Sequence, residues 1–120
     1  MVINSDKPIF IQLAEVIKRR IIDGELQPDD KIPSVRELAA EFEVNNNTAM
    51  HAVEYLSRQD IIYQKRGVGY FVNASASENI VKQRRENFFN NTLPEVIQEM
   101  KILGIGIDEI SAYYNNTSKQ

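Results

Sequence analysis

Cysteine is absent from the 120 residues, which excludes disulfides and thiolate chemistry. A cysteine-free chain suits a reducing compartment, and the cytoplasm is the expected location. No apolar run approaches the roughly 20 residues a membrane-spanning helix needs. The opening MVINSDKPIF has no basic stretch leading into an apolar core, so no signal peptide is expected. Histidine occurs once, at His51, without a second histidine or a cysteine to complete a metal site. No metal and no cofactor are therefore expected. There is no nucleophile–base–orienter set, and the glycines do not form a phosphate-cradling loop, so no catalytic residue is expected either. A cationic excess is also missing. Lys and Arg number 14 against 17 Asp and Glu, a net charge of −3. The deficit is spread along the chain: residues 1–76 hold 9 cations and 11 anions, and residues 77–120 hold 5 and 6. Binding to nucleic acid would have to depend on where the cations sit, and it should weaken as salt rises.

The chain is 42% apolar, enough to build a core. Its length suits one ordinary domain, or a small domain with an appendage. A chain this small buries a limited fraction of its surface, so dimerisation would help it. Ile9, Leu13, Val16, Ile17 and Ile21 recur at helical spacing and predict a helix over Ile9 to Asp23, with Pro8 at its start and Gly24 just past its end. Its polar face carries Lys18, Arg19 and Arg20, a solvated face or a contact for phosphate. Pro28, Asp29, Asp30 and Pro33 break the next stretch into a loop, which Leu26 and Ile32 tie to the core. Ser34 and Glu37 have capping-box spacing and open a second helix to Phe42, with Leu38, Ala39 and Phe42 inward. Glu43-Val44 makes a short turn. A third helix runs from Asn45 to about Arg58, capped by Asn45 or Asn46, with Ala49, Ala52, Val53 and Leu56 buried. Ile62 to Lys65 and Tyr70 to Val72 have strand composition, joined by Arg66-Gly67-Val68-Gly69.

Asn73 to Ser77 is a linker of small residues and the expected domain boundary, giving domains 1–74 and 75–120. Beyond it, Ser75 and Glu78 have capping-box spacing for a helix to about Asn90. Thr92 and Glu95 have it for another, whose apolar face is Leu93, Val96, Ile97, Met100 and Leu103. Gly104 and Gly106 interrupt the chain. Asp108 to Tyr114 is a last short helix, and the NNTSKQ tail is expected to fray.

The segment from Lys31 to Val72 carries the chemistry. A capped helix, a tight turn, a helix with a polar N-terminus and a hairpin with a Lys-Arg-Gly tip follow one another. That order describes a winged helix-turn-helix, which lays its last helix in the DNA major groove. The fold class is α+β, mostly helical: three helices and a two-stranded wing, followed by a short all-helical arm. Asn46, Asn47, Met50 and His51 lie in the N-terminal turns of the recognition helix, where side chains meet base edges.

Residues 8–72 resemble the DNA-binding domain of the GntR family of bacterial transcription regulators. The resemblance rests on PIFIQLAEVIKRRIIDGELQP, DDKIPSVRELAAEFEV, NTAMHAVEYLSRQDII and KRGVGYFV. The pairing of P-S-x-R-E-L-A with G-x-G-x-F-V at this separation is the specific element. Only about 45 residues remain after the linker, too few for a large effector domain, and together with the LGIGIDEI stretch this resembles the YtrA-like subfamily. The resemblance implies that Arg36 reaches a guanine and that Ser34 both caps its helix and touches phosphate. It implies that Asn45, Asn46, Asn47 and Thr48 present the recognition helix, and that Lys65, Arg66 and Gly67 form a wing tip for the minor groove. It also implies a homodimer on a palindromic double-stranded DNA operator, repressor action and control of transporter genes. The C-terminal arm becomes a dimerisation domain with Phe88, Phe89, Val96, Ile97, Met100, Leu103, Tyr113 and Tyr114 as candidate interface residues, and a small-molecule effector of unidentified chemistry is left open.

This sequence departs from the family pattern at three places. Asn46 stands where an arginine is usual, which shifts the expected specificity, since Asn pairs with adenine N6 and N7. Asp29 and Asp60 stand where glycine is usual, so both are expected to adopt positive φ. A competing expectation, motivated by the acidic balance and by Asn46, is a winged helix serving as a protein-interaction module.

Overall fold

The computed structural model describes residues 6–118. The chain forms two compact units, Met1–Lys82 and Gln83–Gln120. In chain order the elements are α1 (Ile9–Ile22), α2 (Val35–Phe42), α3 (Asn46–Arg58), β1 (Ile62–Lys65), β2 (Gly69–Val72), α4 (Ala76–Asn87), a π-helical segment (Phe88–Thr92), α5 (Leu93–Leu103) and α6 (Ile107–Ser118). No helix among the described residues is long and apolar enough to cross a membrane.

The core of the first unit comes from α1, α2, α3 and the wing. Leu13, Ile17, Leu38, Val53, Leu56, Ile61, Ile62 and Val72 are all but sealed from solvent. Each fully buried aliphatic side chain of this kind contributes about 1.5–3 kcal/mol relative to leaving it in water. The buried stripe of α1 is Leu13, Ala14, Ile17 and Ile21, with Gln12 at its edge, whereas Ile9 is 42% exposed. Gln12 is tolerated inside because its amide donates to the Lys7 carbonyl at 2.9 Å. Gly24, just past the end of α1, takes φ +82°.

Strands β1 and β2 pair antiparallel with Ile62 opposite Val72 and Lys65 opposite Gly69. The 25–33 loop does more than cross the surface. Lys31 bridges Phe71, the Ile32 N–H donates to the Tyr70 carbonyl at 3.0 Å, and the Val72 N–H donates to the Asp30 carbonyl at 2.9 Å. The end of the loop is thus a short third edge on the wing. The Tyr63 hydroxyl fastens the same place by donating to Asp29 Oδ1 at 2.7 Å. The Asp29 carboxylate that accepts this bond holds the Tyr63 phenol above its usual range. Asp29 and Asp60 adopt φ +67° and +57°, as expected for aspartates standing at glycine positions, and Glu43 adopts +55° as well.

Two N-terminal caps expected in the C-terminal region do not form. The Ser75 N–H donates to Asn73 Oδ1 at 2.9 Å, an Asx turn that leaves Glu78 no donor to accept from. Thr92 is helical at φ −68°, ψ −51° and makes no cap, because the chain never leaves the helix there. Instead α4 ends at Asn87 and passes through the π-helical segment into α5, where the Leu93 N–H reaches back to the Phe88 carbonyl. Pro94, without an N–H and in conflict with the preceding turn, accounts for the local widening. Ala76 and Ile80 are buried in the first unit's core, so the start of α4 belongs there, past the 73–77 linker. Helix α6 continues to Ser118, so Asn115 to Ser118 are helical rather than frayed, and Lys119 and Gln120 lie outside the described residues.

Candidate nucleic-acid interface

Helix α2 begins with the expected reciprocal cap. The Glu37 N–H donates to Ser34 Oγ at 3.1 Å, and the Ser34 N–H donates to Glu37 Oε1 at 3.0 Å. The hydrogen bond from the Ser34 backbone holds the Glu37 carboxyl below its ordinary range. At the other end, Glu41 takes a bidentate ion pair from Arg20 of α1, whose guanidinium also lies 5.4 Å from the centre of the Phe42 ring. This pairing with Glu41 raises the Arg20 pKa, and Glu25, 3.6 Å away, adds to it. Of the three cations on the polar face of α1, Arg20 is therefore spent on joining α1 to α2.

Arg36 has no carboxylate on its own face of α2. Its helical neighbours three and four residues on are Ala39 and Ala40, while Glu37 and Glu41 lie off its face of α2 and are engaged elsewhere. Arg36 is exposed and makes no salt bridge or hydrogen bond among the described residues. A guanidinium held on a rigid capped helix without an internal partner presents its full fork of donors outward.

Helix α3 is capped by Asn45, whose Oδ1 accepts from the Thr48 N–H at 2.7 Å. That settles which asparagine caps and leaves Asn46 and Asn47 exposed on the first turn. Thr48 is half-buried, and Met50 is 38% exposed. His51 is exposed at its edge, but its ring lies flat on Phe10 of α1, with centroids 3.6 Å apart. Phe10 in turn meets Tyr55 edge-on at 5.6 Å, so Tyr55 packs rather than offering a stacking surface.

At the wing tip, Gly67 takes φ +77° and the Val68 N–H closes the turn on the Lys65 carbonyl at 2.9 Å. Arg66, Gly67 and Val68 are all exposed. Lys65 Nζ lies 4.4 Å from the centre of the Phe71 ring, which steadies a long side chain. Lys31, which the sequence pattern does not single out, joins this group through the third edge. The signal for it was the alternation of exposed Lys31 and buried Ile32 before Pro33, a short extended pattern inside a run of breakers. Ser34, Arg36, Asn46, Asn47 and Met50 thus occur with Lys31, Lys65 and Arg66 as exposed groups of one compact unit. Asn45 caps α3 by accepting from the Thr48 backbone N–H, and His51 packs on Phe10 while staying exposed, which leaves the Thr48 side chain unused by the cap.

A capped helix, a left-handed turn at Glu43, a recognition helix with open polar first turns and a cationic hairpin define a winged helix-turn-helix protein. The profile of the gntR family of bacterial regulatory proteins matches residues 11–72. The chain belongs to that family. It is 36% identical to the HTH-type transcriptional regulator YhcF of Bacillus subtilis over 89% of this chain and 87% of that protein. It is 29% identical to the HTH-type transcriptional repressor YtrA of the same organism, over 96% of this chain and 88% of that one. A GntR-family regulator from Bacteroides thetaiotaomicron, 37% identical, superposes with a TM-score of 0.81 over 93% of this chain and 97% of that one. The DNA-binding domain of AraR, solved in complex with operator ORR3, is 37% identical with a TM-score of 0.52 over 54% of this chain and 78% of that one.

Proposed function

We propose that this GntR-family regulator represses transcription as a homodimer on a palindromic operator, with Arg36 as its principal base-reading residue. The observation that carries the reading is the state of Arg36: it is exposed, has no carboxylate on its face of α2, and makes no salt bridge or hydrogen bond among the described residues. A bidentate arginine on guanine O6 and N7 contributes about 1–3 kcal/mol of discrimination. Asn46 and Asn47 add adenine readout, and Ser34, at the α2 N-terminus, takes a phosphate. Lys65, Arg66 and Gly67 reach the minor groove or its phosphates from the wing. Likeness to the transcriptional repressor YtrA over nearly the whole chain supports the YtrA-like assignment and repressor action, and transporter genes are the targets which the YtrA-like resemblance implies.

Dimerisation rests on the second unit. Phe88, Phe89, Val96, Ile97, Leu103, Tyr113 and Tyr114 are exposed, Met100 is half-buried, and no residue of α5 is buried. Ile107 and Ile110, not named from sequence, are exposed too and share helical spacing with Tyr114. So much apolar surface on so small a unit marks an interaction face. A second copy is the occupant that gives a two-fold match to a palindrome, with half-sites roughly 10 bp apart. Any effector acts only by binding two arrangements of that dimer with different affinity.

Mobility shifts on DNA upstream of the regulator's own gene, at several salt concentrations, test the proposal. The expected result is a salt-sensitive complex of fixed stoichiometry, with Arg36→Ala losing about 1–3 kcal/mol of operator preference while weak general binding persists. If no complex forms at low salt and a protein partner is captured instead, the interaction-module reading replaces this one.

A further inference from the structure

The recognition helix has no cation in its first turns, yet a DNA-binding domain draws most of its affinity from phosphate neutralisation. The wing shows where the compensation lies. Lys65 stands opposite Gly69 in the β1–β2 ladder, and Lys31 bridges Phe71, two residues further along β2. Side chains alternate along a strand and match across it, so Lys31, Lys65, Gly69 and Phe71 share one face. Lys65 leans over β2 onto the Phe71 ring. Lys31 leans over β2 from the other side, so closely that a Cβ on Gly69 would come within 2.8 Å of its Cε and 3.7 Å of its Nζ. Gly69 is therefore the gap that lets the Lys31 stem lie across the sheet. Tyr63 is on the same face, and its hydroxyl engages Asp29, which keeps that aspartate's Oδ1 occupied. Lys31 and Lys65 make no salt bridge among the described residues.

We propose that Lys31 and Lys65 form a two-lysine clamp for a DNA backbone phosphate, seated over Gly69 on the outer face of the wing. Their strands lie two spacings apart, about 10 Å, and both stems converge on the strand between. An ammonium is a compact point charge on a flexible stem, and two of them converging over one glycine suit a phosphate. The clamp is thus sequence-blind, in contrast to Arg36. The inference rests on the DNA-binding reading above and assigns it a second, separable anchor.

The test compares the full-length protein with Lys31→Met, Lys31→Arg and Arg36→Ala. Each is titrated on operator DNA and on unrelated DNA between about 0.05 and 0.3 M salt, the range over which counterion release is read. Lys31→Met is expected to weaken both DNAs equally, by on the order of tenfold at the lowest salt, and to reduce the salt slope by about 1. Lys31→Arg should retain most of the affinity, and Arg36→Ala should lose operator preference with a smaller effect on unrelated DNA. Gly69→Ala keeps both charges but displaces the Lys31 stem, so it should weaken both DNAs in the same proportion. Since φ +145° at Gly69 strains any side chain, folding of that variant is checked by circular dichroism, and Lys31→Met remains the deciding substitution. Equal affinity and equal salt slope for wild type and Lys31→Met would overturn the clamp. So would a Lys31→Met loss confined to the operator. Failure of the wild type to bind any DNA would instead overturn the underlying reading.

Discussion

Leu56 and Ile97 lie on the apolar faces of amphipathic helices of similar length, yet Leu56 is sealed from solvent and Ile97 is 40% exposed. In the first unit the apolar stripes of α1, α2 and α3 cover one another, with the wing closing the base. In the second, the stripes of α5 and α6 have no such cover within the unit. Helical periodicity records that a face is apolar and says nothing of what will cover it. The open face of the second unit is what the proposed dimer would cover.

The contrast can be broken most directly from its buried side. Leu56→Ala should cost about 2–5 kcal/mol, through lost transfer energy and the cavity left behind. Urea unfolding followed by circular dichroism measures it, and a cost well under 1 kcal/mol would mean the first unit is not the rigid partner. Next, Ile97→Asp should leave the first unit folded but weaken self-association by about 2 kcal/mol or more, as expected when a charge enters an interface centre. Sedimentation equilibrium across a concentration series reads this, and an unchanged dimer would place the interface elsewhere.

Smaller effects sharpen the picture inside the first unit. Ser34→Ala removes the α2 cap and should cost about 1 kcal/mol. The Glu37 carboxyl is held below its unfolded value, so its contribution is fully present above that value and is lost as pH falls through the folded one. Glu37→Gln should therefore flatten the acid limb of the stability profile, and an unchanged limb would show that the cap carries no charge-linked stability. Smallest is a gain. Glu43 holds φ +55° at the end of α2, and Glu43→Gly should stabilise by about 1 kcal/mol, read as a higher midpoint without a change in slope.

Much of this was legible in the residues. The Ser34–Glu37 box, the stripes of α2 and α3, the wing and the left-handed Asp29 and Asp60 all express short-range rules that a linear sequence obeys. What escaped involves distant partners. Lys31 looked like part of a loop because its ladder partner, Phe71, lies forty residues further along the chain. The Arg20–Glu41 pair joins two helices, so no local pattern announces it. The caps at Ser75 and Thr92 failed for the opposite reason. The spacing was right, but Asn73 took the Ser75 N–H, and the chain around Thr92 stayed helical ahead of Pro94.

Glu43 and Asp60 share one further property. A single base change in the codon of either converts it to glycine, the residue that relaxes a left-handed backbone. Neither side chain anchors another element: what Asp60 gives Asn79 is its main-chain carbonyl, 3.0 Å away, which glycine retains. The chain thus holds a stability reserve one mutation away at each of two turns flanking the recognition helix. A lineage under pressure to change its operator could draw on that reserve, accepting costly substitutions at Asn46, Asn47 or Met50 while the scaffold between the two turns stays folded.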